Sequence, residues 1–251
     1  MSDEPEEDLP PLPPGIELAW GLRGRPRRGP KPGLTLERIV AAGIKVAATE
    51  GVGVLSMGRV ASELGVGTMS LYRYVAAKDE LLTLMVDAAI GAPPGGDHPE
   101  EDWRAALTRW AVGVRAAYRR HPWALRVPIS GQQVLGPNNV AWLEAGLRAL
   151  GSTALSEQDK AATVLLVSGF VRGEATLNAD LAAGWFREPS MTYGALMERL
   201  TDPIRFPAIR RAIASGAFDD DDNPDAQFHY GLGRILDGIG RLDASPGGGA
   251  V

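Results

Sequence analysis

The chain has 251 residues, 45% of them hydrophobic, a formal net charge of -5 at pH 7 and no cysteine. That length supports one large or two small domains, and the lack of cysteine excludes a disulfide framework or a thiolate metal site while agreeing with a reducing cytoplasm. No stretch resembles a signal peptide and no apolar run approaches the roughly 18 to 20 residues of a membrane span, so a cytoplasmic protein without membrane contact is expected.

The negative total conceals a segregation of charge. Residues 1–15 carry Asp3, Glu4, Glu6, Glu7 and Asp8 among five prolines and bury too little to fold, so they are read as a disordered acidic tail. In the arm that follows, residues 16–33, Ile16-Glu17-Leu18-Ala19-Trp20 is a short apolar patch able to dock on the body. From Leu22 to Gly33 prolines and glycines keep a basic segment extended. Its Arg25, Arg27, Arg28 and Lys31 are candidate DNA contacts, because attraction to phosphate depends on the local patch within roughly 8 to 10 Å and not on total charge. Arg23-Gly24-Arg25-Pro26 resembles the core of an AT-hook, whose arginines lie in a minor groove. A flexible basic linker that only raises general affinity is the other reading.

Thr35 is placed to cap a first helix running to Glu50, with Leu36, Ile39, Val40, Gly43 and Val46 or Ala47 inward and Gly51 at the stop. The stretch from Leu55 to Lys78 then reads as a helix-turn-helix. Met57, Val60, Ala61 and Leu64 fall at i, i+3, i+4 and i+7 behind a Ser56 cap, and Gly65-Val66-Gly67 ends that helix. A second helix is predicted over about Thr68 to Val75. Leu71 and Val75 share its inner face, while Met69, Ser70, Arg73 and Tyr74 point outward. Hydroxyls and a guanidinium can bond base edges and phosphates, and Met69 can lie against a thymine methyl. An ordinary hairpin with a wet polar face would satisfy the spacing alone.

On these residues the chain resembles, from Thr35 to Leu82, the DNA-binding domain of the TetR (tetracycline-repressor-like) family of transcriptional regulators. The resemblance is carried by Arg38 to Gly43, Glu50-Gly51, Val60-Ala61, Gly65-Val66, Leu71-Tyr72, Tyr74-Val75 and Lys78. It implies an all-α protein whose helix-turn-helix domain, residues 34–90, grips double-stranded DNA through Ser56, Thr68, Met69, Ser70, Tyr72, Arg73, Tyr74 and Lys78. It departs at Gly58, where relatives often carry an arginine that touches a base; Arg59 points elsewhere. The helix from Lys78 to Gly91 would serve as a lever.

Gly91-Ala92-Pro93-Pro94-Gly95-Gly96 marks a break, after which helical spacing resumes. Helices are predicted from Trp103 to Arg120, Asn139 to Leu150, Ser156 to as far as Trp185, Tyr193 to Leu200, Pro207 to Ala214 and Ala226 to Leu242. Ser156 and Asp159 have the spacing of a capping box. Asp219 to Asp222 lacks the glycine and glutamate of a calcium loop and is read as solvated surface. Residues 244–251 are read as a disordered tail.

His121-Pro122-Trp123, Gly136-Pro137, Leu143 to Leu150 and Leu166 to Gly173 extend the resemblance, more loosely, to the C-terminal domain of tetracycline-repressor-type proteins, here residues 99–243. That implies a homodimer built on the last two long helices, with Leu165, Gly169, Phe228, Leu232, Ile235 and Ile239 as candidate contacts. It also implies an apolar cavity for a small-molecule effector, for which Met85, Trp103, Leu107, Trp110, Tyr118, Trp123, Trp142, Phe170 and Trp185 are candidate walls and Arg172, Glu174 and Asn178 candidate polar anchors. Core packing is the competing role for each aromatic. The implied protein is a repressor that a small apolar or aromatic ligand releases from a palindromic operator, with no cofactor or catalytic residue; tetracycline-repressor relatives use a magnesium-bound drug, but no residue of this sequence supports carrying a metal over.

Two rival classes remain in view. An enzyme or a small-molecule binder without DNA would show chemistry, but His98, His121 and His229 have no metal-ligand spacing, and no phosphate loop, dinucleotide fingerprint or nucleophile elbow occurs. A DNA-binding protein without a ligand would keep the reader but has no need of so aromatic a second domain.

Overall fold

A computed structural model describes residues 11–22, 33–96, 101–129, 131, 133–184, 192–218 and 225–244. The acidic tail to residue 10, Arg25, Arg27, Arg28 and Lys31 of the basic arm, His98, Trp185, Asp219 to Asp222 and the tail after residue 244 lie outside the described residues. Among those described, every regular element is helical, as the spacing predicts. The helices are α1 (Pro14–Ala19), α2 (Leu36–Glu50), α3 (Met57–Leu64), α4 (Thr68–Leu71), α5 (Lys78–Ile90), α6 (Trp103–Arg120), α7 (Pro137–Ala149), α8 (Glu157–Gly184), α9 (Tyr193–Leu200), α10 (Pro207–Ala214) and α11 (Ala226–Asp243).

Local chemistry explains most of these boundaries. Side-chain oxygens of Thr35, Ser56, Asp102 and Thr192 accept from the third residue onward at the starts of α2, α3, α6 and α9. Proline at the first position presets the backbone of α1, α7 and α10. At α8, Ser156 Oγ accepts from the Asp159 N–H at 3.1 Å and donates to the Asp159 carboxylate at 2.6 Å, so the capping-box pair meets side chain to side chain. Helix α1 begins two residues inside the stretch read as tail. Its Ile16 is buried, and Trp20 Nε1 donates to the Leu135 carbonyl at 2.8 Å, which docks the apolar patch.

The chain divides into two compact units, Met1–Ser168 and Gly169–Val251. In the first, one apolar cluster joins Ile39, Val46, Leu55, Val60, Leu71, Val75, Leu81 and Met85 with Trp123, Ala124 and Val127 from the turn after α6. Gly43 lets α5 approach α2 closely, since a Cβ there would stand 2.6 Å from Met85 Sδ. Met85 and Trp123, expected in a ligand cavity, are therefore core residues of the helix-turn-helix. Both pack on α2, and Trp123 Nε1 is buried with no hydrogen-bond partner among the described residues.

In the second unit α11 turns Phe228, Leu232, Leu236 and Ile239 inward. Phe170 of α8 stacks on Phe228 with centroids 5.7 Å apart, and a Cβ on Gly231 would lie 2.7 Å from the Phe170 ring. Phe228, Leu232 and Ile239 are at most 3% exposed within a single chain, so the expectation that they meet a partner fails. The apolar stripe of α11 is spent on its own unit. Tyr230 and Leu242 are the large apolar side chains that α11 exposes. On α8, Leu166, Gly169, Gly173 and Leu177 are exposed at i, i+3, i+7 and i+11, with Leu165 and Leu181 exposed beside them.

Candidate nucleic-acid interface

Helix α3 ends at Gly65 with φ 67° and ψ 31°, a left-handed conformation that glycine adopts without a Cβ clash. The next amide, of Val66, returns to the Ala61 carbonyl at 3.0 Å, and Val66 packs on the core cluster. This bend delivers Thr68. The regular part of α4 is shorter than the spacing predicts, stopping at Leu71, with Tyr74 N–H and Val75 N–H both directed at the Leu71 carbonyl, at 2.8 and 3.0 Å. So short a helix cannot hold itself in water. Its shape is fixed from behind by Leu71 and Val75, both fully buried and each contributing on the order of 1.5 to 3 kcal/mol of apolar transfer.

What this anchoring leaves outside is the candidate reading face. Met69 is 77% exposed and Tyr72 45%, with Arg73 and Lys78 also exposed and Thr68 and Ser70 half-buried beside them. A thioether, hydroxyls and a guanidinium are thus exposed or half-exposed along residues 68–73, and the Lys78 ammonium is exposed at the start of α5. Two expected contacts have other duties. Ser56 Oγ is occupied by the Arg59 N–H at 3.1 Å as the cap of α3. Tyr74, expected outward, is half-buried against the core cluster and its hydroxyl donates to the Leu34 carbonyl at 2.9 Å. The Leu71 turn, tighter than a continued helix, rotates that ring toward the chain entering α2.

The rim of the site is electrostatically self-contained on α2 and α3. Arg59 Nε donates to Glu50 at 3.1 Å, Arg59 Nη2 meets Glu63 at 2.9 Å, and Lys45 Nζ reaches Glu63 at 2.6 Å. Hydrogen bonding to Arg59 holds the Glu50 carboxyl below the usual range, and Lys45 followed by Arg59 does the same for Glu63. Arg59 is thereby bound to carboxylates and turned from the reading face. At Gly58, the nearest atom to a built Cβ is Thr68 Oγ1 at 4.0 Å, so the position is open and simply lacks a side chain.

At the start of α5 Lys78 stands exposed in the first turn, and Glu80 Oε2 accepts the Ala76 N–H at 2.7 Å. The same helix carries a residue the sequence reading passed over. Asp87, 5% exposed, lies near its far end.

The effector candidates fall into two groups, one in each unit. In the first, Leu107, Trp110 and Trp142 are buried, while Trp103 and Tyr118 are half-buried. Trp110 and Trp142 meet edge to face at 6.1 Å, Trp110 Nε1 donates to the Trp142 carbonyl at 2.8 Å and Trp142 Nε1 to the Gly91 carbonyl at 2.9 Å. Both indole N–H groups are committed to the protein, which leaves only ring faces for a guest. In the second, half-buried Phe170 is stacked on Phe228 and exposed Asn178 donates to Glu174.

Comparison with known proteins places this geometry. Residues 39–85 match the model "Bacterial regulatory proteins, tetR family" and residues 94–242 match "Tetracyclin repressor-like, C-terminal domain". The HTH-type transcriptional repressor DrrR1 of Streptomyces coeruleorubidus is 39% identical over 240 residues, spanning 89% of this chain and 84% of that protein. Among solved structures, apo ActR of Streptomyces coelicolor superposes with a TM-score of 0.68 at 26% identity, covering 86% of this chain and 100% of that one. ActR in complex with actinorhodin superposes with a TM-score of 0.65 at 26% identity, covering 84% and 99%. The helix-turn-helix and the helical half behind it each match their own part of one pattern, and the chain belongs to the tetR family of bacterial regulatory proteins.

Proposed function

We propose that this chain is a cytoplasmic, non-enzymatic repressor that binds a palindromic operator as a homodimer and lets go when a small apolar or aromatic molecule binds its helical half. Residues 34–90 would act as reading head and residues 99–243 as sensor and dimer body. The observation that carries the reading is the exposure of Met69, Tyr72 and Arg73 on a bend whose reverse side, Leu71 and Val75, is fully buried. A wet hairpin has no need to expose a methionine there; a major-groove reader does. Repression is supported by the likeness to DrrR1, and a small-molecule effector by the likeness to ActR, which has been solved with actinorhodin.

Two reading heads match a two-fold operator only if the chain pairs with itself, and the exposed stripe Leu166, Gly169, Gly173 and Leu177 supplies a face on which a second α8 can pack closely. Differential binding would supply the regulation, since an effector that prefers the spread arrangement of the heads weakens DNA binding by the factor by which DNA weakens its own binding. Selection of bound fragments from random or genomic DNA tests the proposal. An inverted repeat is the expected result; enrichment without symmetry, or no enrichment, overturns it.

A further inference from the structure

Helix α7 begins without a cap of its own. Its N-cap residue is Gly136, which has no side chain to accept the orphan N–H groups of the first turn. Those groups are nevertheless satisfied, by Asp87 on α5, 51 residues earlier in the chain. Asp87 Oδ1 accepts from the Asn138 N–H at 3.0 Å and from the Asn139 N–H at 3.1 Å, Oδ2 from Asn138 Nδ2 at 2.9 Å, and Oδ1 again from Asn139 Nδ2 at 3.1 Å. Asn138 Nδ2 also donates to the Asp87 backbone carbonyl at 3.1 Å.

Gly136 is what permits this approach, because a Cβ there would fall inside the Asp87 carboxylate. The attachment is doubled one turn on, where Trp142 Nε1 of α7 donates to the Gly91 carbonyl that closes α5. It continues into α6 through Trp110 Nε1 and the Trp142 carbonyl at 2.8 Å. A buried anion at a helix N-terminus, accepting from two backbone and two side-chain donors, is a specific joint. Generic apolar packing would let α5 slide; this arrangement has one register.

We infer that Asp87, Asn138, Asn139 and Trp142 are positioning residues that lock the end of α5 to the start of α7, so that the reading head and α7 move as one piece. The inference rests on the proposed DNA-binding function for its regulatory meaning, though the joint itself does not. With it intact, a shift of α6 and α7 reaches Lys78 and the reader through α5, and DNA on the reader is felt at α7 by the same factor. With it cut, each half answers alone.

The test is hydrogen exchange followed by mass spectrometry on the full chain, with and without the DNA fragment recovered by selection. Without DNA, amides of 86–91 and of 138–142 are expected to exchange as one cooperative unit in the natural protein. Asp87→Ala should split them, speeding α7's first turns while leaving α2 to α4 unchanged. Addition of the DNA should slow exchange over 138–142 by about fivefold or more, the lower end of ordinary site-to-site coupling. Asp87→Ala should bind the same DNA yet lose that remote slowing, and Asn138→Ala with Asn139→Ala, which remove the side-chain donors but keep both backbone N–H bonds, should reduce it in part from the other side.

Should Asp87→Ala not fold, Asp87→Asn keeps the volume and one acceptor, and an intermediate loss is expected from it. Independent exchange of the two segments in the natural protein, or remote slowing that is undiminished in Asp87→Ala (or in Asp87→Asn where the alanine variant does not fold), overturns the joint. Absence of DNA binding in the natural protein overturns the proposed function instead, and the DNA-free arm then decides the joint by itself.

Discussion

The hydroxyl of Tyr74 reaches back 40 residues to donate to the carbonyl of Leu34 at 2.9 Å, tying the exit of the reading bend to the strand of chain that enters α2. This bond makes Tyr74 a brace for its neighbours. Tyr74→Phe should lower stability by about 0.5 to 1.5 kcal/mol, the net worth of one such hydrogen bond, as measured by thermal or urea melts. Base preference in fragment selection should stay the same, because the reading side chains are untouched; an altered preference would return Tyr74 to the duplex.

Arg73 and Met69 behave oppositely. Both project from the surface with little packed beneath them, so Arg73→Ala and Met69→Ala should leave the melting temperature nearly unchanged. Loss of a base contact by either should cost about 1 to 3 kcal/mol on the selected operator and much less on unrelated DNA, measured by fluorescence anisotropy. Equal losses on both DNAs would assign them to phosphate.

The basic arm should announce itself through salt. Replacing Arg25, Arg27 and Arg28 by Ala together should flatten the plot of log affinity against log salt by about 0.9 for each phosphate contact removed. Specificity measured at fixed salt should change little if the arm binds only phosphate. A lost preference for A·T flanks would instead show that it reads the minor groove.

The Glu50, Arg59, Glu63 and Lys45 network carries a pH signature. Both carboxyls are held below their ordinary values in the folded chain, so their stabilisation is full above the normal carboxylate range and is lost as pH falls through the depressed values. The unfolding midpoint should therefore decline as the solution is acidified below about pH 4.5, the unperturbed value for these groups. Glu50→Gln with Glu63→Gln should lower stability at neutral pH and flatten that decline. An unchanged acid limb would show that the network contributes nothing measurable, as many exposed pairs do not.

The two sides of the dimer question separate by substitution. Leu166→Glu with Leu177→Glu, on the exposed stripe of α8, should turn a dimer into a folded monomer by size-exclusion chromatography with light scattering. Phe228→Ala, by contrast, removes a fully buried ring and should cost about 3 to 5 kcal/mol of folding stability. Retention of the dimer in the first variant would move the interface off α8.

Much of this architecture is legible one turn at a time. Thr35, Ser56 and Gly65 announce their helix ends by chemistry that acts within three or four residues, and Leu71 and Val75 declare the inner side of the reader by period alone. The misreadings share a cause. A stripe such as Phe228, Leu232 and Ile239 shows that a face is covered without showing by what, and the cover proved to include Phe170 of the same chain. Trp123 and Met85 looked like cavity walls because aromatic and thioether side chains suit both roles; only packing against α2 decides between them. Asp87 left no signal at all, since a cap supplied from 51 residues away has no local spacing to find.

Lys78 occupies the first turn of α5, where the helix presents its partial positive charge, an awkward seat for an ammonium that Asp79 and Glu80 only partly relieve. If Lys78 touches the backbone as proposed, a phosphate there would supply counter-charge to both the lysine and the helix end. Such a contact would serve nucleic acid of any sequence alike, a foothold gained before a single base has been inspected.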